Sequence, residues 1–195
     1  MSKIEKTVGL AVVHANIAAP RGGLERVRAR GRFRVVCFAA DGTLKWAHEN
    51  HNLVVNVGLQ DMVTQYFKGS GYTAAWYIGL YGAGASNTPV AADTISSHAG
   101  WTEFTNYSQS TRVAATFGTA TTADPSVISN SASPAAFTIN GAGGTVGGGF
   151  LCSNSTKGGT TGVLFSASDF GSPGDRSTTS GDTLNVTYTF SLDAA

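Results

Sequence analysis

A chain of 195 residues, 42% of them hydrophobic, is long enough to bury one proper core and too short for two ordinary domains. Charged residues make up 13%, about half of ordinary usage, and glycine is abundant at 25 residues; this hydroxyl-rich, weakly charged make-up is commoner in extracellular and virion β-proteins than in cytosolic enzymes. The formal charge of +1 conceals a division: up to Arg34, eight Lys and Arg residues face only Glu5 and Glu25, and the rest of the chain is net acidic.

Residues 1–25 show no period and close on the linker-like Ala18-Ala19-Pro20-Arg21-Gly22-Gly23. Lys3, Lys6 and the run Val8–Val13 sketch a secretory signal, but the apolar core between Glu5 and His14 is six residues, too short for one. No later stretch approaches a membrane span, so a soluble protein is expected. Ordering a backbone costs about 1–2 kcal/mol per residue. With few large apolar groups, this segment is expected to order only against a partner.

From Arg26 the chain alternates strictly, with Arg26, Arg28, Arg30, Arg32 and Arg34 on one face and Val27, Ala29, Gly31, Phe33 and Val35 on the other. Period two is the signature of a strand. Neighbouring arginines on that face stand about 6.6 Å apart at the usual rise and repel by about 0.6 kcal/mol per pair in water. The row therefore wants an anionic surface, and together with Arg21 it forms the candidate contact to a partner or another subunit. A solvated edge strand whose charges block aggregation is the plainer alternative. Nucleic acid is disfavoured, because the body is acidic and the arm lacks interleaved Trp or Tyr for stacking.

The strand runs through Val35–Phe38 to Asp41-Gly42, a hairpin signal, and returns over Thr43–Trp46. After Asn52–Val55 a helix is predicted, capped by Asn56 and stopped by Gly69, with Leu59, Met62, Val63, Tyr66 and Phe67 as its apolar face. Strands follow: Ala74–Tyr81 with Trp76, Ile78 and Leu80 on one face, then Arg112–Phe117, Ala136–Ile139, Gly149–Cys152 and Gly162–Phe165. A last strand turns Leu184, Val186, Tyr188 and Phe190 inward. The stretches around Gly82–Trp101 and Ser166–Gly181 read as surface loops open to contacts. The expected fold is mainly β, an antiparallel β-sandwich or jelly roll with one short helix and an extended N-terminal arm. The arm is placed at residues 1–30 and the domain at 31–195. Cys37 and Cys152 lie in apolar stretches and are expected as free, buried thiols.

No arrangement recommends chemistry. His48 and His51 flank Glu49 in an apparent turn, without further ligands at recognisable spacing. The cluster Gly141–Gly149 lacks the Lys-Ser/Thr ending of a phosphate loop and reads as a flexible hairpin. There is no Gly-x-Ser-x-Gly elbow, and the triplets beginning at Asn106, Asn154 and Asn185 are ordinary in a Ser/Thr-rich chain. No catalytic residue, metal site or cofactor is expected, and the chain does not read as an enzyme. His98, Trp101 and Glu103 can form a glycan-binding pocket or a subunit contact, since an aromatic plane with polar neighbours suits a sugar face; a Trp anchoring a loop is the commoner use.

The run from Gly31 to Leu192 carries an ordered set of phrases: Asp41-Gly42-Thr43-Leu44-Lys45-Trp46, Asn52-Leu53-Val54-Val55-Asn56-Val57-Gly58-Leu59, Trp76-Tyr77-Ile78-Gly79-Leu80, Gly100-Trp101-Thr102-Glu103, Val163-Leu164-Phe165-Ser166-Ala167 and Gly181-Asp182-Thr183-Leu184. In these it resembles small virion structural proteins of tailed bacteriophages, over about five-sixths of the chain. The resemblance implies a virion component of the capsid decoration (cement) type. Its expected partners are the major capsid protein, through Arg21 and the Arg26–Arg34 face, and further copies of itself as a dimer or trimer, with no membrane. The expected location is the capsid exterior. The alternative is a tail-fibre, spike or head-fibre module that recognises a host receptor or glycan near Trp101.

Overall fold

The computed structural model describes residues 27–68, 75–82, 88–171 and 174–194. The elements are β1 (Val27–Phe38), β2 (Leu44–His51), β3 (Leu53–Val54), α1 (Asn56–Lys68), β4 (Tyr77–Gly82), β5 (Glu103–Phe104), β6 (Val113–Ala114), β7 (Ser126–Ser129), β8 (Ala135–Thr138), β9 (Gly144–Cys152), β10 (Leu164–Asp169), β11 (Arg176–Thr178) and β12 (Thr183–Ala194). They form two antiparallel sheets. A five-stranded sheet runs β2-β1-β12, with β7 and β8 following one another along the far side of β12. A seven-stranded sheet runs β3-β10-β9-β4-β5, with β11 on β9 and β6 on β4. The fold is thus the expected mainly-β sandwich; the strand order carries no feature specific to the jelly roll. β1 begins at Val27, inside the segment read as arm.

Alternation decides the five-stranded sheet. Phe33, Val35 and Cys37 of β1 and Leu184, Val186 and Tyr188 of β12 turn inward and are buried. The turn between β1 and β2 uses Gly42 at φ +84°, and the Asp41 carboxylate accepts from the Thr43 amide at 2.9 Å. Where β7 ends and β8 has not begun, β12 would be left with unpaired backbone groups. Asn130 fills the gap: its side-chain oxygen accepts the Tyr188 N–H at 2.7 Å and its amide donates to the Val186 carbonyl at 3.2 Å.

The seven-stranded sheet is covered on both faces. Ile78 and Leu80 pack inward against the first sheet, while Tyr81, Phe150, Cys152 and Leu164 form a second cluster on the outside, closed by Ile95 and Trp101. Residues 88–101 are therefore the lid of a second core, where an open surface loop was expected. Around Ser166 the expected loop is also strand. Its serines are buried but satisfied, Ser166 donating to the Tyr188 hydroxyl at 3.2 Å and Ser168 to the His51 carbonyl at 3.0 Å.

The glycine cluster is only partly a hairpin. Gly143 and Gly144 take positive φ, but from Val146 onward β9 is fully buried. In register, Gly148 stands opposite Tyr81 and Gly79 opposite Phe150. Each glycine leaves the space that the facing ring occupies.

The helix forms at the predicted place with a different cap and a different inner face. Leu59 already donates to the Val55 carbonyl at 3.0 Å, so Val55 stands at the capping position, and the Asn56 amide is taken by the Ala91 carbonyl at 2.9 Å. Gly58 lies on the backbone of Phe165, too close for any side chain. That contact turns Val57, Asp61, Met62 and Gln65 toward the body and leaves Leu59, Val63, Tyr66 and Phe67 in solvent.

Both cysteines are free and buried, one in each sheet. Burial, then the nearby Asp182 carboxylate, pushes the Cys37 thiol up to about 11, so it is neutral at physiological pH. Asp182 itself ties the start of β12 to β2, accepting from Lys45 Nζ at 2.6 Å and from the Thr179 amide at 2.8 Å. Burial alone would raise its pKa, but these donors outweigh burial and hold it below the usual value. Its contribution to stability is therefore complete above the unfolded-state value, about 3.9, and disappears as pH falls through the lower folded value. An acid titration of urea midpoints should show a loss below about pH 4 that is smaller in Asp182→Asn; parallel curves for the two proteins would refute the assignment.

Candidate binding surface

The feature that stands clear of the packing is the outer face of β1. Arg28, Arg30, Arg32 and Arg34 are exposed, while the residues between them turn toward the core. Arg32 and Arg34 have strands on both sides, with His51 and Glu49 opposite them on β2 and Thr189 and Thr187 on β12. Here the row is not on a sheet edge. Arg28 and Arg30 lie beyond the end of β2 and pair with β12 alone, opposite Asp193 and Ser191. The flanking positions of β12 are thus mostly hydroxyls, and Ser129 on β7 joins Thr189 at 3.0 Å.

Two carboxylates answer four guanidiniums. Arg32 meets Glu49 at 2.9 Å and Arg30 meets Asp193 at 3.7 Å. Arg28 and Arg34 make no ion pair among the described residues. The pairs are solvent-exposed, so they contribute little to stability. The stiff strand fixes the spacing of the row and lowers the entropy cost of meeting an extended anionic surface. Arg21 and Arg26 lie outside the described residues.

The other candidate residues are brought together, but for packing. Trp101 is only 4% exposed, wedged beside Tyr81 and Phe150, with its indole N–H on Asp93 at 3.1 Å. His98 stacks on it with centroids 3.8 Å apart and bonds its carbonyl at 2.8 Å. Glu103 is held by Arg112 through two hydrogen bonds of 3.0 and 2.8 Å and by the Gly158 amide at 2.8 Å. Neither Trp101 nor Glu103 presents a free face, so the trio is a loop anchor and not an open sugar pocket. His48 and His51 sit on β2, not in a turn. Their odd spacing sends them to opposite faces of the strand, His48 inward against Phe170 and His51 outward beside Arg32. No cluster of metal-ligating side chains occurs among the described residues.

Sequence reading missed Arg112. Its side chain is 1% exposed, lies over the Phe150 ring at 5.1 Å, and donates to the Asn154 and Gly159 carbonyls at 3.0 and 2.7 Å. Burial alone would lower its pKa, yet the bonds to Glu103 leave it raised and the guanidinium charged. Its one advance sign was a cation at the head of an apolar run, with no nearby carboxylate to name the partner. Comparison of the chain with family models, with curated proteins and with solved structures finds no match in any of the three.

Proposed function

We propose that the chain is a capsid decoration (cement) protein of a tailed bacteriophage, binding the outer shell and stabilising it by bridging major capsid protein subunits. The observation that carries this reading is the outward row Arg28–Arg30–Arg32–Arg34 on a strand fixed in the sheet, with fewer carboxylates than guanidiniums beside it. A rigid basic stripe suits a fixed acidic protein surface, and the resemblance to virion structural proteins supplies the class of that surface. Bridging opposes expansion of the shell because separating the subunits would expose the contact again, at about 25 cal/mol per Å² of apolar area. The fibre or spike alternative loses its proposed contact, since Trp101 is buried.

Arg28 and Arg34 are the positions to change, because neither serves an internal ion pair among the described residues. The double variant Arg28→Glu/Arg34→Glu should fold normally and bind shells at least about a hundredfold more weakly, with a shallower salt dependence than the parent. Undiminished binding would remove the arginine row from the interface. Quantitative mass spectrometry of purified particles tests the class itself: a ratio to the major capsid protein near unity, or a simple fraction of it, is expected. A handful of copies per particle would instead place the protein on the tail or at a vertex.

A further inference from the structure

We infer that a second copy of this chain covers the outward face of α1, as a two-fold dimer independent of the arginine row. Helix α1 presents Leu59, Val63, Tyr66 and Phe67 to solvent, with Tyr66 82% and Phe67 78% exposed and their rings edge to face at 5.0 Å. A surface helix normally turns such a stripe inward. Here the close seat of Gly58 on Phe165 fixes the helix the other way round. Beside the stripe lies a mostly apolar groove of about 380 Å³, walled by Tyr66, Phe117, Phe165 and Phe190, with Asp61 and Gln65 of the helix also lining it.

The form of this surface selects the occupant. It carries protruding aromatic rings and an apolar hollow side by side, which is the self-complementarity a two-fold interface requires. Two α1 helices running antiparallel about an axis through Val63 set Leu59 of each opposite Phe67 of the other, by symmetry alone. None of the four stripe residues is charged, so bringing two copies together creates no like-charge contact along it. A lipid surface fits poorly, because Lys68 is the only basic residue of the helix and gives no cationic flank for anionic headgroups. An acidic partner matched to β1 finds no cation within the stripe.

The area is sufficient for the apolar centre of an interface. Fully buried Tyr and Phe side chains each cover on the order of 150–250 Å², and the two rings are joined by Leu59, Val63 and the groove wall. A standard interface buries about 800 Å² per partner with an apolar core and a polar rim. The groove is lined from the inner face of β12, whereas the arginines occupy the outer face of β1 in the same sheet. A dimer formed through α1 therefore leaves both basic rows free, and self-association stands or falls without reference to any shell.

Sedimentation velocity of the full chain over a wide concentration range tests this, beside the variant Tyr66→Ser/Phe67→Ser. Both side chains are exposed, so circular dichroism and the melting transition of a diluted sample should be retained. The expected result is a parent dimer and a variant whose dimer is at least about a hundredfold weaker, because each substitution counts twice across a two-fold axis. As a second readout, Val63→Cys should form a disulfide-linked dimer on mild oxidation, the two native thiols being buried. A monomeric parent, an assembly that survives the double substitution, or a trimer would overturn the proposal. A monomer would hand this face to residues 1–26 or to a foreign protein.

Discussion

Replacing Glu103 with alanine is expected to lower stability by about 3–5 kcal/mol, the usual effect of removing one partner of a buried ion pair. Arg112 would remain almost wholly enclosed, over the Phe150 ring, with no counter-charge beside it and only neutral acceptors, the carbonyls of Asn154 and Gly159 and the Cys152 sulfur, among the described residues. The cost is that of a buried charge without its counter-charge, which exceeds the net worth of the pair. In a domain of this size a change of 1 kcal/mol moves the melting temperature by about 2–4 °C, so a fall of roughly 6–20 °C is expected. The double variant Glu103→Leu/Arg112→Met should recover part of the loss. Recovery should stop short of the parent, since the two carbonyls lose their donors and Gly158 loses its acceptor. Urea midpoints of the parent, Glu103→Leu, Arg112→Met and the double variant close the cycle. A Glu103→Ala protein within about 1 kcal/mol of the parent would mean that water reaches Arg112 and that this is an ordinary surface pair.

Gly148→Ala is the second large effect, expected to cost about 3 kcal/mol or more, at or above the top of the usual range for overpacking a core. A methyl group there overlaps the Ser168 carbonyl oxygen of β10 and the Tyr81 ring of β4 together. Neither yields cheaply. The carbonyl belongs to the neighbouring strand, and the ring is held between Trp101 and the sheet. Gly82→Ala on β4 is the matched control, because among the described residues its methyl meets only the Thr145 and Thr102 carbonyl oxygens, at 3.7 and 3.8 Å. There the lower entropy of the unfolded chain should leave stability unchanged or raised by up to about 1 kcal/mol. Equal urea midpoints for the two variants would show that the β9–β4 seam relaxes and that the glycine–ring pairing is incidental.

β1, β12 and the turn at Gly42 are legible in the chain alone. Their strands have one face in water and one in the core, and that arrangement writes itself as strict alternation. The alternation of Ile78 and Leu80 also marks β4, whereas β9 and β10 are legible only in part, at Gly149–Cys152 and Gly162–Phe165. Residues 88–101 cover their outer side, so both faces are apolar or tightly packed, and the sequence shows short runs broken by glycine and serine. Those glycines look like flexible turn residues until the opposite strand shows the rings that need the space. The helix span was readable from its 3.6-residue period, but its phase was not. The contact of Gly58 with the Phe165 backbone sets the orientation, and glycine carries no apolar signal.

The candidate surface divides along the same line. The spacing and common face of Arg28 to Arg34 follow from the sequence, because a strand permits only one placement of alternate residues. That Arg32 and Arg34 are flanked by strands, and that Glu49 pairs with Arg32 and Asp193 with Arg30, was decided by pairing between positions remote in sequence. The opposite fates of Trp101 and Tyr66, one enclosed and one left in solvent, were likewise decided only in three dimensions. Local pattern records which residues favour a core, and packing between distant segments determines which of them find one.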